Sequence, residues 1–221
     1  MPSSALVLHS GGLDSTVCLL LAKEQADVVY SLGIDYGQRH RVEMEYAAAQ
    51  CRRLGIQRHV IKVEWTKPTR DMPLDRNLES IRASGVSSAF LPARNSVFLT
   101  LGFAEAAGLH VESVWIGVNA VDYSGYPDCR PDFIASFRTM MGKAMPNAPA
   151  LMTPLITLSK PEIASEAQRL GLKRGDTWSC YRPAIDKDGL HPCGRCDACV
   201  LEDYAWNQAP SSPASPPKAS T

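Results

Sequence analysis

Two short stretches of this 221-residue chain bring together residue types that do chemistry. The first is Ser10-Gly11-Gly12-Leu13-Asp14-Ser15, where an apolar run, Ala5–Leu8, gives way to helical character. Two glycines let the backbone turn tightly and present N–H groups to a ligand, and the helix N-terminus behind them adds a positive dipole end. Ser10, Ser15 and Thr16 add hydroxyl donors, so the loop reads as a cradle for phosphate oxygens. An aspartate beside an anion calls for a bridging cation, and Asp14 is read as a Mg²⁺ ligand. No lysine follows the glycines as in a Walker loop, and G-x-G-x-x-G is absent as well.

The second stretch is Cys193-Gly-Arg-Cys196-Asp-Ala-Cys199, with Cys180 upstream across a loop. Four thiolates match the closed tetrahedral site of a structural Zn²⁺. Gly194 helps the chain double back. Bound metal there is worth about 10 kcal/mol or more, judged from zinc-finger peptides, enough to order a loop with little core. An iron–sulfur cluster is the other occupant such a triplet can hold, and His191 is an alternative ligand. Cys18, Cys51 and Cys129 have no close partner in sequence and read as bystanders.

These residues need a scaffold. Apolar runs at Ala5–Leu8, Val28–Ile34, Val60–Val63 and Val111–Val118 read as strands. Between them lie helical stretches near Thr16–Lys23, Val42–Leu54 (closed by Gly55) and Asn95–Ala107. That alternation predicts a doubly wound, mostly parallel α/β sheet, Rossmann-like, with its site beyond the C-terminal strand ends. Thr66–Ala93 is read as a long loop lying over the site. Further on, Asp132–Met145 and Lys160–Leu170 are predicted helices, the second with Ser159 as N-cap and Pro161 at its first position. The expected organisation is residues 1–175 as the nucleotide domain, 176–207 as a zinc-binding segment packed on it and loop-rich over Asp176–Cys199, and a disordered Pro/Ser/Ala-rich tail over 208–221.

Composition narrows the function. Lys+Arg and Asp+Glu both number 23, which argues against a polyanion binder, so no nucleic-acid partner is expected. No apolar run approaches the roughly 20 residues of a membrane span. MPSSALVLHS lacks a basic n-region, so the expectation is a cytoplasmic protein, with no membrane partner.

Three more stretches bear on the substrate. Asp35-Tyr36-Gly37-Gln38-Arg39-His40 follows the second strand, where a nucleotide base or sugar would lie. Asn119-Ala-Val-Asp122-Tyr123-Ser-Gly125-Tyr126-Pro127-Asp128-Cys129-Arg130 follows the fourth, and Trp178-Ser179-Cys180-Tyr181 leads into the cysteines. Aspartates can accept from the N–H edge of a guanine-like ring and tyrosines can stack on it. SGGLDS resembles the PP-loop of the N-type ATP pyrophosphatases. Together with YGQRH, NAVDYSGYPDCR, TPL, TWSCY and PCGRCDAC, it makes the chain, from about Leu6 to Cys199, similar to the 7-cyano-7-deazaguanine synthase family.

That resemblance implies ATP with Mg²⁺ as co-substrate, one structural Zn²⁺, and a homodimer. It implies that 7-carboxy-7-deazaguanine is adenylated, converted to an amide by free ammonia, then adenylated again to leave the nitrile. The ATP set it implies is His9, Ser10, Gly11, Gly12, Leu13, Asp14, Ser15, Thr16, Asp35 and Tyr36. Ser10, Asp14, Ser15, Lys160 and Arg94 are the candidate catalytic residues, the two cations facing the transferring phosphates. Arg39, Asn119, Asp122, Tyr123, Tyr126, Asp128 and Arg130 would hold the deazaguanine. Two departures stand out: Leu-Pro-Ala93-Arg-Asn replaces a glycine with alanine, and an acidic segment after Cys199 replaces an arginine-containing helix. The rival readings are a diverged member that stops at the amide or transfers the acyl group, a PP-loop tRNA-modifying enzyme, and a zinc module without catalysis.

Overall fold

A computed structural model describes residues 3–38, 41–65, 74–86, 90–119, 125–187 and 189–210. Its centre is a five-stranded, all-parallel sheet in the order β3-β2-β1-β4-β5. The strands are β1 (Ser4–Leu8), β2 (Val28–Asp35), β3 (Gln57–Lys62), β4 (Ser113–Ile116) and β5 (Ala150–Met152). The predicted α/β class and four of its strands are present. The fifth, β5, is three residues long, too short for an apolar run to announce it.

Alternation along β1 sends Ala5 and Val7 to one face and Leu6 and Leu8 to the other. Each pair enters a different core. Ala5 and Val7 pack with α1 (Leu13–Gln25), α6 (Lys160–Arg169) and Ala205 of α7 (Asp197–Asn207). Leu6 and Leu8 pack with Leu99 and Phe103 of α4 (Arg94–Gly108) and Ile134 and Phe137 of α5 (Pro131–Ala144). A strand apolar on both faces belongs in the middle of a parallel sheet, and β1 occupies that place. On its other side α2 (Val42–Leu54) ends at Gly55, which takes the left-handed φ of 67° that closes a helix.

Two loop readings are corrected. Within Thr66–Ala93, Leu78–Ala83 forms a short helix, α3, capped by Asn77, whose Oδ1 accepts from Ser80 N at 2.8 Å; residues 66–73 and 87–89 lie outside the described residues. Within Asp176–Cys199, read as loop-rich, lies an antiparallel hairpin, β6 (Ala184–Asp186) and β7 (Gly189–His191); α7 begins at its end and packs against α6. Helix α6 begins at Lys160 with Ser159 as N-cap; Pro161 is its second residue, and the Glu162 carboxylate accepts from Ser159 N at 2.7 Å. No described helix is long and apolar enough to cross a membrane.

Candidate active site and metal centre

The strand order reverses between β1 and β4, and a crevice opens beyond their C-terminal ends. Into it run the Ser10–Gly12 loop from β1 and Gly117-Val118-Asn119 from β4. The two approach closely: a Cβ on Gly117 would sit 2.7 Å from Asp14 O. Gly11 is equally constrained. Its φ is 102°, and a Cβ there would meet Glu43 O at 2.1 Å, so α2 lies directly against the loop. The loop is sealed on a third side, where Trp178 N donates to Gly11 O at 3.1 Å.

Inside the loop, Ser15 Oγ accepts from Ser10 N at 3.2 Å and Gly11 N at 3.3 Å, and lies 3.1 Å from Ser10 Oγ. These donors converge on one point at the N-terminus of α1, the geometry of an anion site. At its rim Lys160 Nζ lies 2.6 Å from Asp14 Oδ2. The cavity in front has a volume of about 380 Å³. Ser10, Gly12, Leu13, Asp14, Ser15 and Lys160 line it at the mouth of the glycine loop, while Tyr36, Arg94, Asn119 and Tyr126 also belong to its wall.

Arg94 opens α4 and its guanidinium lies over the Tyr126 ring, 5.7 Å from the centroid. Tyr36 packs on Phe98 with ring centroids 5.3 Å apart. Asn119 is 4% exposed, and neither amide atom has a hydrogen-bond partner among the described residues. An unpaired buried amide costs about 1–3 kcal/mol, so such a group in a cavity wall points to a ligand.

Other predicted residues stand elsewhere. His9 borders the cavity, but its ring is engaged behind the loop. Asp176 O can only accept, and Gln50 Nε2 donates to it at 2.8 Å, which turns Gln50 Oε1 toward His9. His9 Nε2–H therefore donates to Gln50 at 2.8 Å, and Ser31 Oγ lies 3.1 Å from Nδ1. Burial, with the nearby Arg58 charge, pushes the His9 pKa down to about 3 against the Gln50 bond, so the ring is neutral. Thr16 turns into the core, donating to Gly12 O at 2.8 Å, and Gly11 contributes backbone alone.

Asp35 accepts from Gly37 N at 3.2 Å and pairs with Arg41, away from the cavity lining. Asp128 is buried behind the wall, where Oδ2 accepts from Asn95 N at 3.0 Å and anchors the start of α4. Arg130 is exposed at the start of α5. Arg39, Asp122 and Tyr123 lie outside the described residues. Sequence reasoning missed Glu43, which lines the cavity from the first turn of α2, and it set Cys129 aside although Cys129 borders the cavity too. Neither has a motif of its own; only the packing of α2 on Gly11 and of the Tyr126–Arg130 turn on α4 brings them in.

Sulfur atoms of Cys180, Cys193, Cys196 and Cys199 all lie within 4.8 Å of one another. Tetrahedral Zn–S bonds of about 2.3 Å require sulfurs roughly 3.8 Å apart, so the set fits a four-sulfur metal site. Backbone N–H groups of Cys193 and Arg182 donate to Cys180 Sγ at 3.2 and 3.3 Å, as thiolates require. Hydrogen bonding with Cys180 and Cys199 holds the Cys196 thiol well below the ordinary range. Gly194 has a φ of 69°, the left-handed turn between the first two sulfurs of the triplet. His191 lies 3.5 Å from Asp186 and is not among the converging ligands. The centre also holds residues 74–83 in place. Leu74 bridges to Cys196, Arg195 Nε donates to Asp75 at 2.6 Å, and Arg76 Nε donates to Asp197 Oδ1 at 3.0 Å. That chain leads into α3, whose Ile81 closes the cavity.

An open parallel sheet, a glycine loop at its switch point and four converging cysteines near that loop define an α/β protein with a candidate crevice site and a candidate four-cysteine metal centre. The model of the family described as queuosine biosynthesis protein QueC matches residues 4–210, and the chain belongs to that family. A protein named 7-cyano-7-deazaguanine synthase 2 from Rhodopseudomonas palustris is 55% identical over 92% of this chain and 96% of its own length. Relatives named 7-cyano-7-deazaguanine synthase from Novosphingobium aromaticivorans and Solidesulfovibrio magneticus are 44% and 40% identical. They match 93% and 94% of this chain and 90% and 93% of their own lengths.

Proposed function

We propose that this chain converts 7-carboxy-7-deazaguanine and ammonia to 7-cyano-7-deazaguanine in queuosine biosynthesis, using ATP in two adenylation steps. The observation that carries the reading is Asn119, whose buried and unpaired carboxamide stands in the same cavity as the phosphate loop. A deazaguanine ring offers an adjacent carbonyl and N–H, the complement of a carboxamide's donor and acceptor. Tyr36 and Tyr126 supply aromatic surface on either side of Arg94. Substrate at Asn119 and triphosphate at Ser10–Ser15 would bring a carboxylate up to the α-phosphorus without moving the sheet.

The displacement needs positioning and charge neutralisation more than a protein nucleophile. Ser10, Gly12 and Ser15 would orient the phosphates, and Lys160 and Arg94 would offset charge as pyrophosphate leaves. Asp14 suits Mg²⁺, an ion that favours one or two carboxylates together with phosphate oxygens; bound there, it would supply further charge neutralisation. The four thiolates suit Zn²⁺, with no open position for substrate, so its work is to hold α7 and residues 74–83 against the cavity.

The test is a single incubation with ATP, Mg²⁺, ammonia and 7-carboxy-7-deazaguanine, with products identified by mass spectrometry. Nitrile with AMP and pyrophosphate is the expected result. Amide as the end product would favour the diverged member, and ADP with phosphate would overturn adenylation altogether.

A further inference from the structure

The reaction sequence just proposed, on which this inference rests, releases protons that the cavity must accept. When ammonia adds to the acyl adenylate, an N–H proton must leave as AMP departs. When the amide is adenylated on oxygen, pyrophosphate leaves and one N–H proton is lost, giving an O-adenylated imidate; then the last N–H proton leaves, its electron pair completing the carbon–nitrogen triple bond while the C–O bond breaks and AMP carries off that pair. No oxidant or reductant is involved. What is needed is a base of near-neutral strength close to the reacting carbon.

Most of the acid–base groups on the wall are committed. His9 has both ring nitrogens hydrogen-bonded and stays neutral. Asp14 is paired with Lys160, and Asp197 with Arg76. Glu202, on α7, feels Asp14 and hydrogen-bonds Ser179, which puts it at the phosphate end. Glu43 differs in position and in partners. Its backbone is wedged against Gly11 of the phosphate loop, so the carboxylate cannot drift from that loop. The side chain lines the cavity on the side shared with Tyr36 and Arg94. Among the described residues its carboxylate accepts one long hydrogen bond, 3.4 Å, from Gln38 Nε2.

We propose that the Glu43 carboxylate is the proton acceptor of the reaction, taking the N–H proton in the amide-forming and nitrile-forming halves and passing it to solvent between them. Its surroundings suit the task. The charged and titratable groups facing it among the described residues are Arg94 from α4, Arg58 from β3 and Tyr36 from the end of β2. Burial raises the carboxyl to about 7, outweighing the opposing pull of Arg94, the Gln38 hydrogen bond and Arg58. A base whose strength matches the working pH is the efficient choice.

The experiment compares wild type with Glu43→Gln, which keeps the side chain's shape and its contact with Gln38. Two rates are measured: ATP–pyrophosphate exchange with the carboxylate substrate in the absence of ammonia, and nitrile formation across pH at a fixed concentration of unprotonated ammonia. Wild type should show nitrile formation falling on the acid side of an inflection near pH 7. Glu43→Gln should lose that inflection and about 10²-fold or more of the rate, while exchange stays within about threefold of wild type. Glu43→Asp should keep the acid limb at a reduced rate. A Glu43→Gln enzyme that retains the limb, or that loses exchange and nitrile formation equally, overturns the assignment. If wild type itself makes no AMP from this substrate, the parent reading falls and this one with it.

Discussion

Lys160 Nζ stands 2.6 Å from Asp14 Oδ2, joining the first residue of α6 to the first turn of α1 across 146 positions of sequence. The pair sets the charge balance at the rim of the glycine loop proposed to hold phosphate. A carboxylate there would repel a triphosphate, and the ammonium beside it offsets that repulsion. Lys160 is mostly buried while Asp14 keeps some solvent contact, with side chains 14% and 25% exposed.

Lys160→Met should therefore separate activity from stability. Loss of the cation is expected to lower ATP–pyrophosphate exchange by about 10²-fold. Unfolding free energy should fall by only about 1–2 kcal/mol, since water still reaches Asp14. Steady exchange assays and urea denaturation on the same preparation measure both. An exchange loss no larger than the stability loss accounts for would reduce the pair to a structural strut.

Asn119→Ala is expected to behave in the opposite way to an ordinary buried polar truncation. Among the described residues no side-chain hydrogen bond is broken, and a buried amide without a partner there is removed. Thermal stability should hold or rise slightly, whereas the KM for the carbon acid should rise by about 10-fold or more as one or two ligand hydrogen bonds are lost. A drop in melting temperature with unchanged KM would mean that the amide serves the fold.

Removing the metal should loosen more than the cysteine loop. Because Leu74, Asp75 and Arg76 attach to Cys196, Arg195 and Asp197, a strong chelator or Cys196→Ala should raise hydrogen exchange in α3 as well as in α7. Elemental analysis should find one zinc per chain, and its loss should lower stability by several kcal/mol. Faster exchange confined to residues 180–199 would show that residues 74–83 hold themselves in place.

The parts of this arrangement that were legible in the sequence are those written in contiguous residues. SGGLDS carries its turn, its donors and its helix start within six positions, and CxxCxxC carries most of its ligands within seven. Asp128 and Asp35 misled for the converse reason. A carboxylate in a motif looks like a ligand contact, but whether it faces the cavity or caps Asn95 depends on how α4 packs, and no local pattern records that. Glu43 was invisible because its role comes from a helix pressed against a glycine 32 positions earlier. Helix α7 was hidden differently. Its N-cap and first turn bear Cys196 and Cys199, which read as loop signal, and its buried face packs against α6 and α3, distant in sequence.

Stability should depend on pH through His9. In the folded chain its pKa is lowered to about 3, chiefly by burial, whereas the unfolded ring titrates near 6.5. Below pH 6.5 the unfolded state binds a proton that the folded state refuses, so stability falls as pH drops from 6.5 toward 3 and is fully present above 6.5. The single-site contribution over that window is of order 5 kcal/mol. His9→Gln cannot titrate there. Its unfolding free energy should start lower and decline less steeply between pH 6.5 and 4 than that of wild type, measured by urea denaturation at each pH. Parallel slopes would remove His9 from the acid response.

Ala93 is the departure from the family pattern whose consequence the backbone makes explicit. It sits immediately before Arg94 with φ at 63°, the left-handed region that an alanine Cβ disfavours by about 1–2 kcal/mol. Ala93→Gly relieves that strain, and the freer unfolded chain gives back about 0.4–1 kcal/mol. A net gain of about 0.5–1 kcal/mol is expected, readable as a higher denaturation midpoint at unchanged slope. Because α4 starts at Arg94 and is anchored by the bond from Asn95 N to Asp128, the guanidinium should keep its place over Tyr126. Catalytic rate should then be unaltered while stability rises. A rate that fell in the stabilised variant would mean instead that the strained turn is needed to hold Arg94 against the cavity.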